Sequence, residues 1–166
     1  MKQIILKYGL YSGIAIALFM IVSSVLFMKN PEMGTASLIV GFAGTFCVFL
    51  LIFLAIKKYK NTTENENNTF LKRLLVGLGV ACIASAVYTI VWAIEYNFFF
   101  PDFLDKWLAV ELKNTKPEDI VAKTAEINNM RKDYKNPLYF TIYTLMEILP
   151  IGILYSLVGA LIFRKK

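Results

Sequence analysis

The sequence predicts an all-α integral membrane protein: four transmembrane helices in an antiparallel bundle, with an external helical hairpin between helices 3 and 4. Three observations predict it. Hydrophobic residues make up 57% of the 166 and mean hydropathy is +0.57, above the roughly 45–50% apolar of soluble domains. The apolar residues fall in four long runs, about 8–28, 34–56, 74–96 and 138–163, each long enough to cross a hydrocarbon core of about 30 Å. The charges are gathered between those runs, and the basic ones mostly on one side.

The first run follows Lys2 and Lys7. A basic start before an apolar run also describes a signal peptide, but signal cores span only about 7–15 residues. This run is longer and no small-residue cleavage site closes it, so a span is predicted. Asn30-Pro31 then stops one helix and starts the next, which makes the first two spans neighbours. The second run ends in Lys57, Lys58 and Lys60. An Asn-rich polar stretch, 61–69, reads as a flexible loop. Phe70 to Arg73 leads into the third run, whose far end carries Trp92 and Tyr96, aromatics suited to the water interface.

The one long connection, 97–137, holds seven acidic and seven basic residues. Two helices are predicted within about 101–135. In the first, Phe103, Leu104, Trp107, Leu108 and Leu112 recur at helical spacing behind Pro101. Thr115 and Glu118, with Pro117 between them, read as a capping box for the second, whose thin apolar stripe is Ile120, Ile127, Met130 and Tyr134. Asn136-Pro137 closes it.

The flanks of the two termini and of the 57–73 loop carry ten Lys and Arg against Glu64 and Glu66. On the other side Lys29 and the long connection balance their acids. By the positive-inside rule both termini are cytoplasmic and the hairpin lies outside, in a cell inner membrane. The net charge of +6 is thus a topology signal, with the lipid bilayer as partner and no nucleic acid, since no basic aromatic patch exists outside these flanks. The chain 1–166 is read as a single membrane domain. Cys47 and Cys82 lie in apolar runs and are expected to behave as small buried hydrophobes. There is no His, which excludes the usual Cys/His zinc sites, catalytic triads and Cys-His pairs. No cofactor, no metal and no catalytic set is expected.

Small residues recur four apart in each run, among them Gly9 and Gly13, Gly77, Ala81 and Ser85, and Gly152, Ser156 and Ala160. They are read first as contacts within one bundle and second as a dimer motif. The sequence leaves the oligomeric state open.

These residues carry a resemblance: Lys7 to Leu10 with Ser12-Gly13, Ile56 to Tyr59, Phe70 to Gly77, Phe100 to Phe103, Asn136-Pro137, and Glu147 to Gly152 followed by the Leu161–Lys166 end. In their order and spacing the chain resembles a bacterial family of small membrane proteins, the domain of unknown function 4199. Ala55 stands where that family has Gly. The resemblance implies a small multi-helix bacterial membrane protein and brings no activity, substrate or catalytic residue with it.

Two ionisable groups remain inside apolar runs, Glu147 and Glu95. A central charge costs roughly 2.5–3.5 kcal/mol on insertion scales, so each calls for a partner or a task. No Lys or Arg lies within a run to neutralise them, and two close carboxyls do not both ionise cheaply, so they would share a proton. Tyr88 and Trp92 share a helix face with Glu95, and Tyr143 and Thr144 with Glu147, as prospective hydrogen-bond partners. Pro150 removes a helical hydrogen bond and frees the carbonyl of Met146 beside Glu147. Glu147, Glu95, Pro150, Tyr143 and Tyr88 therefore form the candidate polar site. The leading reading is a non-enzymatic structural or accessory protein that meets a partner through its outer hairpin. The alternative is a small proton- or cation-linked channel or carrier using Glu95 and Glu147. A cavity reached by both carboxyls would separate the two.

Overall fold

A computed structural model describes residues 1–29, 34–63 and 68–163. The Asn30-Pro31 connection, residues 64–67 of the polar loop and the basic end 164–166 lie outside the described residues. Among the described residues there are helices and no strand. In chain order they are α1 (Lys2–Lys29), α2 (Gly34–Thr62), α3 (Phe70–Ile94), a π-helical turn (Glu95–Phe99), α4 (Phe103–Asn114), a 3-10 turn (Pro117–Asp119), α5 (Ile120–Asp133) and α6 (Pro137–Ile162).

Among the described residues, three helical stretches are long and apolar enough to cross a membrane: Lys2–Leu26, Phe70–Phe99 and Pro137–Ile162. Only 22%, 33% and 28% of their apolar windows are buried. The remainder, such as Leu10, Ile14, Leu18 and Val22 on α1, faces outward. Apolar surface on that scale does not face water in a soluble monomer, so its solvent is lipid. Cys47 and Cys82 are on this outward surface too. They are not the buried hydrophobes their apolar neighbours suggested, because in a membrane an apolar run has no single buried face.

Each helix starts where its local chemistry allows. Thr69 is extended and its hydroxyl accepts the Lys72 N–H at 3.3 Å, opening α3. Asn136 does the same for the Leu138 N–H at 2.9 Å, with Pro137 in the first turn of α6. The Thr115–Glu118 capping box does not form. Thr115 ends α4 instead, and its hydroxyl is spent on the Glu111 carbonyl at 2.7 Å.

The long helices pack on one another: α3 against α1, α2 and α6, and α2 also against α1 and α6. Their core is Phe49, Ile52 and Ile56 of α2, Val76, Val80 and Ala84 of α3, Ile16 of α1 and Ile148 of α6. Glycine makes the approach close. A Cβ on Gly9 would lie 2.8 Å from Ile83, one on Gly77 2.8 Å from Ser156, and one on Gly152 2.7 Å from the Ala81 Cβ. The small-residue rows thus serve contacts within the chain.

At one end of α3 and α6 a second cluster gathers Leu104, Tyr134 and Phe140 with Trp92, Tyr96, Phe103, Trp107 and Met130 around them. It fastens α4 and α5 to the long helices. Trp92 meets Phe103 edge-on at 4.9 Å, and Tyr134 meets Phe140 edge-on at 5.0 Å. Arg131 of α5 pairs with Asp105 of α4.

Candidate functional site

A cavity of about 410 Å³ lies between the long helices and the outer pair α4 and α5. Phe19, Met20, Ser23 and Ser24 line it from α1, Thr45 from α2, and Tyr88, Trp92 and Glu95 from α3. Phe103, Leu104, Trp107 and Glu111 of α4, Met130 of α5 and Tyr134 close it from the other side, and Glu147, Ile148 and Ile151 of α6 complete it. Glu95, Glu147 and Tyr88, from three parts of one candidate site, therefore share one space. Periodicity explains α6: Glu147, Ile148 and Ile151 are one, three and four positions apart, so they fall on one face.

Glu95 is buried, 6% exposed, and its carboxylate accepts the Ser24 hydroxyl at 2.8 Å. This partner comes from α1, not from Tyr88 or Trp92 on its own helix face. Glu95 also begins the π-helical turn, whose wide ladder bond runs from the Phe100 N–H to the Glu95 carbonyl at 2.8 Å. A π turn changes the rotation of the residues after it, and such turns recur at functional sites. Here it carries the chain from Glu95 to Phe103 and Leu104, which face the same cavity.

Glu147, by contrast, is exposed and has no hydrogen bond or ion pair among the described residues. Its expected partners are engaged elsewhere. The Tyr143 hydroxyl donates to Asp133 at 2.9 Å, and the Thr144 hydroxyl to the Phe140 carbonyl at 2.8 Å. Tyr143 packs in the aromatic cluster rather than lining the cavity. Pro150 lies inside α6, exposed, and is not part of the lining either. The carbonyl it frees belongs to Met146, which is 68% exposed.

The Ser23 hydroxyl lines the cavity, buried and without a partner among the described residues. Burial, and after it the Glu147 carboxylate, pushes the Tyr134 phenol up to about 12, so it remains a neutral donor beside that carboxyl. Among the described residues the lining contains no Lys or Arg. No group of three or more His, Cys, Asp or Glu able to hold a metal exists among the described residues.

At the opposite end of α3 a second polar cluster went unnoticed in the sequence. Arg73 is 4% exposed. Its Nε donates to the Ala160 carbonyl at 3.2 Å, and its Nη1 to the Asn68 carbonyl at 2.6 Å and to Asn68 Oδ1 at 3.0 Å. Asn68 in turn donates to the Lys60 carbonyl at 3.2 Å. One guanidinium thus ties the end of α2, the start of α3 and the last turn of α6, where a cation also meets the negative end of the helix dipole. In sequence Arg73 is one more basic flank residue.

A family model described as "Protein of unknown function (DUF4199)" matches residues 7–165. The chain belongs to this family. The match spans both clusters, from the turn before Gly9 through Glu95, Glu147 and the Arg73 tie. No curated protein and no solved structure matches the DUF4199 chain, so its site is argued from its own residues.

Proposed function

We propose that this DUF4199 protein is a non-enzymatic, proton- or cation-linked carrier of a bacterial inner membrane, with Glu95 and Glu147 as its binding groups. One observation carries the reading: two carboxyls placed 52 positions apart on different helices open onto one cavity whose lining, among the described residues, holds no basic residue. Without a fixed counter-charge, such a pair is neutralised by protons or by a cation, and a cation that arrives displaces a proton. The 29-residue α2, whose Lys57, Lys58 and Lys60 stand at its end, serves as the fourth span. The distribution of Lys and Arg supports cytoplasmic termini with α4 and α5 outside, an orientation in which the cavity faces the outer leaflet.

Purified protein in sealed vesicles tests it. A cation gradient should drive proton movement, read with an internal pH dye, and Glu147→Gln should reduce it to the rate of empty vesicles. Equal flux in the variant would sink the reading. The accessory role is the second reading, and Ile120 and Val121 support it. They stand 37% and 79% exposed on α5, away from the long helices. A photo-crosslinker at Val121 should then capture one reproducible partner in intact cells, and crosslinking to lipid alone would count against it.

A further inference from the structure

The lining of the cavity selects among cations. We propose that it binds an amphiphilic organic cation, one positive charge carried on an apolar or aromatic body, with Glu95 and Glu147 as counter-charges; this rests on the carrier reading and names its substrate class.

Size is the first argument. About 410 Å³ falls in the range of small-molecule sites, about 300–1,000 Å³, whereas one water has a share of about 30 Å³. A bare ion would leave most of the space to water held against Met20, Leu104, Ile148 and Ile151, which favour an apolar occupant. Ligand number is the second. A hard cation takes about six to eight oxygens, and no cluster of three acidic or softer ligands is present among the described residues.

The aromatic wall is the third argument. Trp92, Phe103 and Trp107 line the cavity, and ring faces attract cations, most of all when water is excluded. Trp107 already does so: the Lys123 ammonium lies over its ring, 6.0 Å from the centre, and that lysine is itself paired with Glu126 at 3.0 Å. Finally, Glu95 is 6% exposed and holds one hydroxyl donor, the Ser23 hydroxyl beside it is buried and unpartnered, and Glu147 has no partner at all among the described residues.

Binding is linked to protons. The titratable groups that face the two carboxyls across the cavity are Tyr88 from α3, Glu111 from α4 and Tyr134 ahead of α6, while α1, α2 and α5 contribute none to the lining. Protonation of Glu95 and Glu147 removes the charge that the ligand meets.

Trp92 and Trp107 are the two tryptophans of the protein, and both line the cavity, so its own emission reports occupancy. The full chain in phosphatidylcholine nanodiscs is titrated with tetraphenylphosphonium, with its charge-reversed counterpart tetraphenylborate, and with potassium and magnesium chloride. Empty nanodiscs supply the partition blank. The expected result is a saturable change with tetraphenylphosphonium only, at least tenfold weaker at pH 5 than at pH 8, and at least tenfold weaker in Glu147→Gln and Glu95→Gln. Tetraphenylborate binding as tightly, or a tetraphenylphosphonium signal equal to the blank, overturns the proposal. Should either variant fail to fold, the charge-reversed pair on the unaltered protein decides alone. Saturation by potassium or magnesium that needs Glu147 would overturn the ligand class and leave the carrier reading standing. No response to any cation, together with no proton flux in vesicles, would overturn both.

Discussion

Ser24 donates to Glu95 across 71 positions of sequence, and that contact joins α1 to the end of α3 at the cavity. A hydrogen bond of this kind contributes about 1 kcal/mol, so Ser24→Ala should lower stability by about that much in detergent unfolding, with a larger proportional loss in cation response. Arg73 is the stronger case. Removing it leaves the Ala160 carbonyl and both Asn68 acceptors unpaired in a buried place, at about 1–3 kcal/mol for each unsatisfied group. Arg73→Met should therefore lose at least about 3 kcal/mol, and Arg73→Lys should recover less than half of it, since an ammonium lacks the planar fork. Thermal unfolding of the three proteins checks the order. At this scale the two acids were legible, because an ionisable group in an apolar run is rare enough to notice. Ser24, Ser23 and Arg73 were not. Serine is ordinary in a membrane helix, Arg73 sits among other basic flanks, and only helix rotation decides which of them meets a partner.

The helices themselves were legible from length and hydropathy, since a span needs only about 20 apolar residues. Their ends were less so. Thr115, which the capping-box pattern places at a helix start, in fact ends one, because its hydroxyl bonds back to the Glu111 carbonyl of the preceding turn. The π turn at Glu95 had no signal at all; nothing in Glu-Tyr-Asn-Phe-Phe distinguishes a wide turn from an ordinary one. Glycine positions give sharper expectations. Gly152→Ala would place its Cβ 2.7 Å from the Ala81 Cβ, which cannot move without its backbone, so overpacking should cost about 1–3 kcal/mol. Gly44 is different. A Cβ there would run into the Phe19 ring, and Phe19 lines the cavity. Gly44→Ala should push that ring inward and weaken tetraphenylphosphonium binding more than it lowers the unfolding temperature. On α4, Lys106 bonds Asp102 at 2.8 Å and holds its carboxyl below the usual range. A lowered folded value means the pair is intact at neutral pH and is lost as pH falls through it. Both groups are exposed, so Lys106→Ala should leave stability at pH 7 within about 0.5 kcal/mol.

Across the whole molecule, charge distribution and burial make one statement about sidedness that is open to direct measurement. Cys47 and Cys82 face outward on apolar surface and should resist a water-borne, membrane-impermeant maleimide. Val121→Cys on α5 should be labelled in intact cells, and Lys58→Cys only after the inner membrane is opened. The reverse pattern would invert the orientation and move the cavity to the cytoplasmic side.

The Arg73 tie also sets a schedule. Its acceptor on Ala160 lies 87 residues further along the chain, so while the ribosome is still making α4 and α5 the guanidinium has only Asn68. The earlier helices can enter the bilayer during that interval, but they cannot be latched. Closure comes only with the final turn of α6, and a chain interrupted before it is left with an open seam that quality-control proteases can find.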